Sequence, residues 1–319
     1  MPLLGFLNAL DNVHHFDPDK HIPNLAGRVI VVTGGNSGVG KETVLQLAKH
    51  SPRCIYLAAR TKAKYDDAMK DIAAAAPDAN VKYVELDLAS LASVKKAADQ
   101  VLDETDRLDI LVNNAGIMAH PHGLTKDGYE IQFGTNHMGH ALLTRQLLPL
   151  MQKTTSQPGA DVRIVNLSSG AHLFAPRAGI CFDGLKTEMK SYNPGTLYGQ
   201  TKLANILHAR ELAKRYPDIR STSVHPGRVE TNIDNVMMEL NNLNARVQRI
   251  FDFLAGPMNV QQGALTQIWA AVWKKDEIKN GAYYVPVGKE NQGSTLSGNA
   301  ELAEKLWDWT EKELVEKGY

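Results

Sequence analysis

The sequence has few cysteines, no excess charge of either sign and no long apolar run, and each absence excludes a class of protein. Its two cysteines, Cys54 and Cys181, stand in apolar surroundings, which indicates reduced thiols rather than a disulfide framework. Thirty-five basic residues balance thirty-five acidic ones, so no global field favours nucleic acid as a partner. No segment reaches the roughly 20 apolar residues of a membrane span. We therefore predict a cytoplasmic protein with no nucleic-acid partner and no integral membrane span.

The N-terminal segment is apolar over residues 1–10, but it is short. It lacks a basic leader, and Asp11 and Asn12 interrupt it, so it does not read as a signal peptide. The favoured interpretation of the 1–24 extension is a short helix that packs on the domain or frays at its surface. A weak peripheral contact with a membrane is the alternative, which the sequence does not test.

Histidines at helical spacing raise the question of a metal site. His137 and His140 are three residues apart in a helical pattern, and His120 and His122 precede them. No Cys-x-x-Cys, His-Glu-x-x-His or carboxylate cluster accompanies these side chains. We therefore predict that the protein holds no metal ion.

Apolar runs alternate with helical patterns along the chain, which predicts an α/β fold. The expected strands are residues 28–32, 54–59, 81–86, 109–112, 162–167, 221–225 and 281–287. We predict one domain over residues 1–319, a Rossmann-type doubly wound parallel sheet of about seven strands with helices on both faces. Residues 170–197 read as an extended loop. The polar, Met-rich segment 232–259 reads as a substrate lid.

A glycine-rich turn over residues 33–40 joins the first strand to a helical pattern. Such an arrangement lets the backbone approach a pyrophosphate at a helix N-terminus, where free N–H groups and the helix dipole favour anions. The spacing is Thr-Gly-x-x-x-Gly-x-Gly rather than the commonest Gly-x-Gly-x-x-Gly, and a purely structural turn is the alternative. The predicted dinucleotide contacts from this turn are Gly34, Asn36, Ser37, Gly38, Val39 and Gly40.

Arg60 follows the second strand, where an acidic residue would hydrogen-bond the ribose 2′-hydroxyl of NAD. A guanidinium at this place suits the 2′-phosphate of NADP instead, and Asn36 and Ser37 would add hydrogen bonds to it. A solvated surface arginine is the alternative. The sequence therefore predicts NADP(H) as the cofactor.

Two further strand ends carry candidate cofactor contacts, because ligands of a doubly wound sheet bind at the carboxyl ends of its strands. Asp87, followed by Leu88, either contacts the adenine amino group or caps the next helix. After the fourth strand, small residues let the chain pass close to a cofactor. The contacts predicted there are Asn114, Ala115 and Gly116.

Tyr198 and Lys202 are four residues apart in a segment with helical periodicity, so both lie on one helix face. The lysine ammonium favours the phenolate and is expected to lower the pKa of the phenol from its usual value near 10. Such a tyrosine is a candidate general acid or base for a carbonyl or an alcohol. The pair alone is weak evidence, since such pairs occur by chance on many helices.

Taken in order, the motifs resemble those of the short-chain dehydrogenase/reductase superfamily. The likeness rests on the turn that starts at Thr33, on Ala58-Ala59-Arg60, on Asn113-Asn114-Ala115-Gly116 and on the run from Tyr198 to Asn205. It covers roughly residues 25–287. Within the superfamily, the chain looks most like the retinol-dehydrogenase-like and fungal oxidoreductase branch.

The resemblance implies a catalytic tetrad of Asn136, Ser169, Tyr198 and Lys202. In such a tetrad, the tyrosine protonates the carbonyl oxygen while NADPH delivers hydride to the carbon, and the serine hydrogen-bonds that oxygen. The lysine binds the nicotinamide ribose hydroxyls and lowers the tyrosine pKa. Asn136 would hold a water in a proton relay to the lysine. Ser168 is the fallback for Ser169.

The segment after the sixth strand resembles the family segment that borders the nicotinamide. The contacts implied there are Pro226, Gly227, Val229 and Thr231. The gap between Ser169 and Tyr198 is longer than is common in the superfamily, and the retinol-dehydrogenase-like branch carries a similar insertion. Residues 173–196 would therefore help to line the substrate pocket.

The function implied by the resemblance is an NADP(H)-dependent oxidoreductase that acts on a lipophilic ketone, aldehyde or secondary alcohol, in secondary metabolism. Two alternatives stay open. In the first, the same site catalyses an isomerisation, cyclisation or dehydration without net cofactor turnover. In the second, the protein is a cofactor-binding scaffold that catalyses no reaction. A homodimer is common in the superfamily.

Overall fold

Short β-branched and aliphatic runs form the single sheet at the centre of the computed structural model, which describes residues 12, 14–227, 229 and 258–319. Among these residues, eight strands have the order β3-β2-β1-β4-β5-β6-β7-β8. Strands β1 to β7 pair in parallel, whereas β8 pairs antiparallel with β7 at one edge. The strands are β1 (Val29–Thr33), β2 (Cys54–Ala59), β3 (Val81–Glu85), β4 (Ile110–Asn113), β5 (Arg163–Leu167), β6 (Arg220–Val224), β7 (Tyr283–Val285) and β8 (Lys289–Asn291).

Helices cover both faces of the sheet, as the α/β pattern predicted. They are α1 (Pro18–His21), α2 (Gly38–Ala48), α3 (Lys62–Ala75), α4 (Leu91–Glu104), α5 (Ile131–Phe133), α6 (Gly139–Thr155), α7 (Pro194–Arg215), α8 (Val260–Val272) and α9 (Ala300–Glu316). Side chains of β1 alternate between two cores. Val29 and Val31 join the core that α4, α6, α7 and α9 cover, and Ile30 and Val32 join the core under α2, α3 and α8. The doubly wound Rossmann-type prediction is confirmed.

Three local predictions differ from the structure. The edge strand β8 was missed because its three residues, Lys-Glu-Asn, carry no apolar alternation. The supposed loop 170–197 contains 3₁₀ turns at Gly170–Phe174 and Phe182–Gly184. The helix around Asn136 includes a π-helical turn over Gly134–Met138, a local widening that hydrophobic periodicity does not reveal.

The part of the N-terminal extension that the structure describes packs on the domain. Phe16 is buried and meets the Trp273 ring edge-on, with 5.8 Å between ring centroids. His14 stacks on Trp269 at 5.1 Å. Residues 1–11 and Thr231, together with nearly all of the predicted lid 232–259, lie outside the described residues.

Three histidines are buried on the π turn, α6 and α7, and two of them, His137 and His208, contact helix α9. His208 stacks on Trp307 with 5.3 Å between ring centroids, and Nε2 of His137 is 3.0 Å from Oγ1 of Thr310. Burial lowers the pKa of His140 and that of His208 to about 4, and it lowers the pKa of His137 as well. The folded protein therefore keeps these rings neutral.

We expect the free energy of unfolding to fall as the pH drops from about 6.5 to about 4, by about 1.4 kcal/mol per pH unit for each such histidine. The unfolded chain binds a proton near pH 6.5, whereas buried His208 does not bind one until about pH 4. Urea unfolding between pH 7.5 and pH 5 measures the slope. His208→Phe, which keeps a ring on Trp307, should make it shallower; His120→Gln, at an exposed position, should not. An unchanged slope in His208→Phe would contradict this account.

Candidate active site

The carboxyl ends of β1 and β4 lie side by side where the strand order reverses, and the candidate site is built around this point. Chain connections leave β1 toward β2 on one side and β4 toward β5 on the other, which opens a crevice at the strand ends. The turn after β1, the chain after β4 and the carboxyl end of β5 all meet there. The described residues of these motifs therefore lie near one another at the carboxyl ends of the strands.

The turn after β1 is shaped by glycines. Gly34 and Gly38 have φ values of +67° and +52°, a region that side chains with a Cβ rarely adopt. A Cβ on Gly40 would lie 2.4 Å from the Gly34 carbonyl oxygen. Helix α2 begins at Gly38, and no side chain caps it. Its first backbone N–H groups can therefore bind an anion.

Polar groups on this turn are free to bind a ligand. In the described part of the chain, neither the Asn36 amide nor the Ser37 hydroxyl makes a hydrogen bond. Arg60, at the end of β2, is exposed, and among the described residues its guanidinium has no hydrogen bond or ion pair. The glycine cradle and the helix N-terminus fit the pyrophosphate of a dinucleotide.

The chain after β4 is fastened to the end of β1. Backbone N–H groups of Asn114 and Ala115 donate to Thr33 Oγ1 at 2.9 and 3.0 Å. The Asn114 amide donates to the Thr33 carbonyl at 2.8 Å. Gly34 fits against this segment, since a Cβ there would be 3.1 Å from Ala115 Cα. Asn113 in turn donates to Asn166 on β5 at 2.9 Å, so the asparagines do tie neighbouring strands together.

The residues after β3 have structural partners. Asp87 Oδ1 accepts from the Ala89 N–H at 3.1 Å, and Oδ2 lies 3.2 Å from Lys126 Nζ. The cap of α4 is Ser90, whose hydroxyl accepts from Ser93 N–H, so the capping alternative for Asp87 was wrong. Leu88 is buried, and its carbonyl packs against Gly139. An adenine contact from Asp87 and Leu88 stays a prediction.

Ser169 and Tyr198 face each other across the junction of β5 and α7. The hydroxyl of Ser169 accepts from the Ala171 N–H at 3.2 Å. It also lies close enough to the Tyr198 side chain to favour the phenolate and so to lower the pKa of that phenol. Ser168 is buried, and its hydroxyl donates to the Lys202 carbonyl at 2.8 Å. Because the Ser168 hydroxyl proton is engaged by a helix carbonyl, Ser169 is the serine that can meet a substrate oxygen.

Tyr198 and Lys202 share a poorly solvated environment. The Lys202 Nζ lies 5.3 Å from the centroid of the Tyr198 ring and donates to the Leu167 carbonyl at 3.1 Å. Burial lowers the pKa of Lys202 to about 8. Burial raises the pKa of Tyr198, and the nearby Ser169 hydroxyl opposes this only in part. The expected lowering of the tyrosine pKa was therefore wrong in direction, because desolvation of the phenol outweighs the stabilisation of its phenolate by Ser169.

Asn136 is fully buried on the π turn, where its side chain joins two segments. Its Oδ1 accepts from Ile117 N–H at 2.8 Å, and its Nδ2 donates to the Ile117 carbonyl at 2.8 Å and to Thr201 Oγ1 at 3.1 Å. Both amide protons are thus engaged. A relay water, as the resemblance implies, would have to bind at the remaining lone pair of Oδ1 or at the backbone carbonyl. Gly116 lies between Asn136 and Lys202, since a Cβ on it would be 3.2 Å from Asn136 Oδ1 and 3.6 Å from Lys202 Nζ.

The end of β6 borders the same crevice. Gly227 adopts a φ of +87°, and the peptide segment continues to Val229. The Val229 side chain packs against Gly263 of α8, where it would overlap a Cβ, and Val39 lies next to the same position. Val229 therefore lies near Val39 of the glycine turn. Nicotinamide contacts from Pro226, Gly227 and Val229 stay predictions. Thr231 is outside the described residues.

Two residues that shape the site were missed by the motif analysis. Gly199 lets α7 pack directly on the turn that follows Ser169, because a Cβ there would be 2.6 Å from the Ala171 carbonyl oxygen. Gln267 on α8 donates to the Val39 carbonyl at 3.2 Å and to Asn114 Oδ1 at 3.3 Å. Neither residue type carries a chemical signature, and the only sequence signal is a glycine inside a helical pattern.

Over the described ranges, no group of three or more histidine, cysteine, aspartate or glutamate side chains is placed to hold a metal ion. Over the same ranges, no helix combines the length and apolar character needed to cross a bilayer.

Comparison with known proteins agrees with this geometry. A family model described as short chain dehydrogenase matches residues 28–182. The short-chain dehydrogenase/reductase drtF of Aspergillus calidoustus is 38% identical, covering 92% of this chain and 95% of that protein. Mouse retinol dehydrogenase 13 is 37% identical, covering 89% and 82%. A solved structure of an uncharacterized protein from Mycobacterium paratuberculosis superposes with a TM-score of 0.72 at 30% identity, covering 93% and 97%.

The chain therefore belongs to the short-chain dehydrogenase/reductase family, whose members are oxidoreductases that bind a nicotinamide cofactor. Within this family, it belongs to the retinol-dehydrogenase-like branch, together with fungal oxidoreductases.

We expect Gly199→Ala to lower turnover by about one to two orders of magnitude, because a displacement of the order of 1 Å at catalytic groups has such effects. The new Cβ would press on backbone atoms of Ala171 and Ala175, which cannot swing away, and would separate Ser169 from Tyr198. The rate is measured from nicotinamide absorbance. Gly123→Ala is the control, since no atom lies within 4 Å of a Cβ there. Equal rates in both variants would contradict the packing argument.

Proposed function

We propose that the protein is an NADP(H)-dependent oxidoreductase that interconverts a lipophilic ketone or aldehyde and the corresponding alcohol. The observation that carries the proposal is the meeting of Ser169 and Tyr198 beside buried Lys202, at the crevice edge that also holds the glycine turn. Two neighbouring hydroxyls suit an oxygen that gains or loses a proton.

The roles of the side chains follow from their bonds. Tyr198 keeps its proton because burial raises its pKa, so it can donate that proton to a carbonyl oxygen and is left as the phenolate. In the reverse direction the phenolate would take up the proton of the alcohol. Ser169 supplies a second hydroxyl to the same oxygen as charge develops on it. Lys202 commits one of its three protons to the Leu167 carbonyl and keeps two for the ribose hydroxyls. When bound, the nicotinamide supplies or takes up the hydride.

Asn136 acts on the site through its neighbours. Its amide holds Ile117 after β4 and Thr201, which precedes Lys202 on α7. It thus fixes the distance between the cofactor side of the crevice and the helix that carries Tyr198. The relay water is proposed at its backbone carbonyl or at the free lone pair of Oδ1.

Tyr198→Phe should reduce turnover by about two to four orders of magnitude, since it removes the proton donor and leaves the ring in place. Turnover is followed as NADPH absorbance with a panel of ketones, aldehydes and secondary alcohols. Tyr192→Phe, which removes a partly buried hydroxyl that contacts Cys181 in the preceding loop, is the matched control. Undiminished turnover in Tyr198→Phe would exclude the proposed acid–base role.

The preference for NADP(H) rests on Arg60. Its exposed guanidinium follows β2, which pairs with β1, and the Gly34 N–H donates to Ala58 of β2 at 2.8 Å. The glycine turn and the arginine are therefore neighbours at one sheet edge. A phosphate on the ribose 2′ position would meet the guanidinium together with Asn36 and Ser37.

Arg60→Asp should weaken NADPH far more than NADH, by roughly 2 to 4 kcal/mol, because a charge-assisted contact is replaced by repulsion. Dissociation constants for both nucleotides come from calorimetry. Arg53→Asp is the control: Arg53 precedes β2 at its opposite end and pairs with Asp106. The cofactor assignment is lost if NADPH and NADH are affected equally.

The lipophilic substrate class is supported by two exposed apolar side chains beside the catalytic serine. Leu173 and Phe174 are 46% and 40% exposed, which is unusual for such large side chains in adjacent positions. Both belong to the 3₁₀ turn that Ser169 caps. An apolar substrate that reaches Tyr198 can cover them.

Phe174→Ser should raise the KM for long-chain carbonyl substrates about tenfold and leave that for short ones nearly unchanged, since burying a phenyl group contributes about 1.5 to 3 kcal/mol. Val315→Ser is the matched control, because Val315 is 60% exposed on α9. A uniform change over all chain lengths would argue against an apolar substrate contact at this position.

A cytoplasmic location, a role in secondary metabolism and a homodimer stay expectations. Helix α9 packs on α7, with Trp307 against His208 and Arg215 over the Trp307 ring. A homodimer would therefore have to use a surface other than the part of α7 that α9 covers.

A further inference from the structure

His140 is a buried side chain that contacts both halves of the site without belonging to the tetrad. Its Nε2 lies 2.9 Å from Thr33 Oγ1, at the end of β1. Its Nδ1 lies 3.1 Å from the backbone carbonyl oxygen of Asn136, on the π turn. The imidazole, 4% exposed, thus bridges the strand that carries the cofactor turn and the helix that carries Asn136.

The tautomer of this imidazole follows from its partners. A carbonyl oxygen only accepts, so Nδ1 of His140 must carry the proton and donate to Asn136. Burial lowers the pKa of His140 to about 4, so Nε2 has no proton at neutral pH and accepts from the Thr33 hydroxyl. The distance from Thr33 Oγ1 to the Val112 carbonyl oxygen is 3.4 Å, longer than that to His140 Nε2, so His140 is the better acceptor for the Thr33 hydroxyl.

The Thr33 hydroxyl has then used its full bonding capacity. It donates one proton to His140 and accepts the N–H groups of Asn114 and Ala115. Removing the acceptor at His140 would leave the hydroxyl with only its longer contact to the Val112 carbonyl, and the two N–H bonds would lose their alignment. The segment that abuts Gly34 of the cofactor turn would loosen with them.

We propose that His140 is a positioning residue whose two ring nitrogens act separately, Nε2 on cofactor affinity through Thr33 and Nδ1 on turnover through Asn136. The inference rests on the proposed function, since it concerns the same crevice. It adds a residue outside the tetrad and assigns a distinct role to each of its nitrogens.

Two substitutions separate the two nitrogens. An asparagine side chain places its amide N–H near the position of Nδ1, and a glutamine places its amide near Nε2. His140→Asn should therefore keep kcat within about twofold and weaken NADPH about five- to tenfold, the effect of one lost buried hydrogen bond. His140→Gln should keep the NADPH affinity and lower kcat by a similar factor. Calorimetric titration with NADPH alone measures the affinity independently of activity.

Thr33→Val tests the same link from the other side. It removes the hydroxyl and should reproduce the weakened NADPH binding of His140→Asn while kcat is kept. His137→Gln is the control for a purely structural effect, because His137 is equally buried on the π turn but contacts Thr310 of α9. It should lower the urea midpoint and change neither Kd nor kcat.

A crossed pattern, with affinity lost in one variant and turnover lost in the other, supports the inference. Equal losses of both quantities in His140→Asn and His140→Gln, or no loss in either, overturn it. If a His140 variant fails to fold, Thr33→Val decides: loss of NADPH affinity with kcat kept supports the inference, and any other result overturns it. Wild-type enzyme that neither binds NADPH nor turns over a carbonyl would instead overturn the proposed function, and this inference with it.

Discussion

The close approach of the chain ends after β1 and β4 is the constraint on which the site depends. A Cβ at Gly34 would lie tightly against Ala115, at 3.1 Å, and one at Gly40 would collide with the amide of Asn114, so glycine at both positions lets the two turns fit together. The Thr33 hydroxyl closes the junction by accepting two backbone N–H groups. Parallel pairing then brings the carboxyl ends of β2 and β5 to the same edge, so the glycine turn and the tetrad share one crevice.

Burial shifts the pKa values of Tyr198 and Lys202, the two candidate catalytic groups on α7. Desolvation raises the pKa of Tyr198 and lowers that of Lys202, so each group is shifted toward its neutral form. A neutral tyrosine beside Ser169 is a proton donor, which suits reduction of a carbonyl. The lysine, with a pKa of about 8, is still largely cationic at neutral pH and can stabilise negative charge that develops near it. The site thus combines a proton donor with the positive charge of a nearly fully buried lysine.

Much of the fold could be predicted from the sequence because the patterns that indicate it are local. β-Branched runs and glycine turns placed seven of the eight strands found in the described residues within a few residues. Features that arise from tertiary packing could not be predicted from the sequence. The π turn at Asn136, the polar edge strand β8 and the Ser90 cap of α4 have no strong pattern, and the direction of the Tyr198 pKa shift depends on how many atoms surround the ring.

The sequence by itself determined the family, the fold class and the candidate tetrad, because the motifs are short, local and in a fixed order along the chain. Only the tertiary structure decided how they act together. It separated Ser169 from Ser168 by their hydrogen-bond partners, revealed that Gly199 admits close packing, and placed His140 between Thr33 and Asn136. Contacts between residues about a hundred positions apart, and the desolvation they cause, depend on the packing of several elements at once, which no local pattern contains.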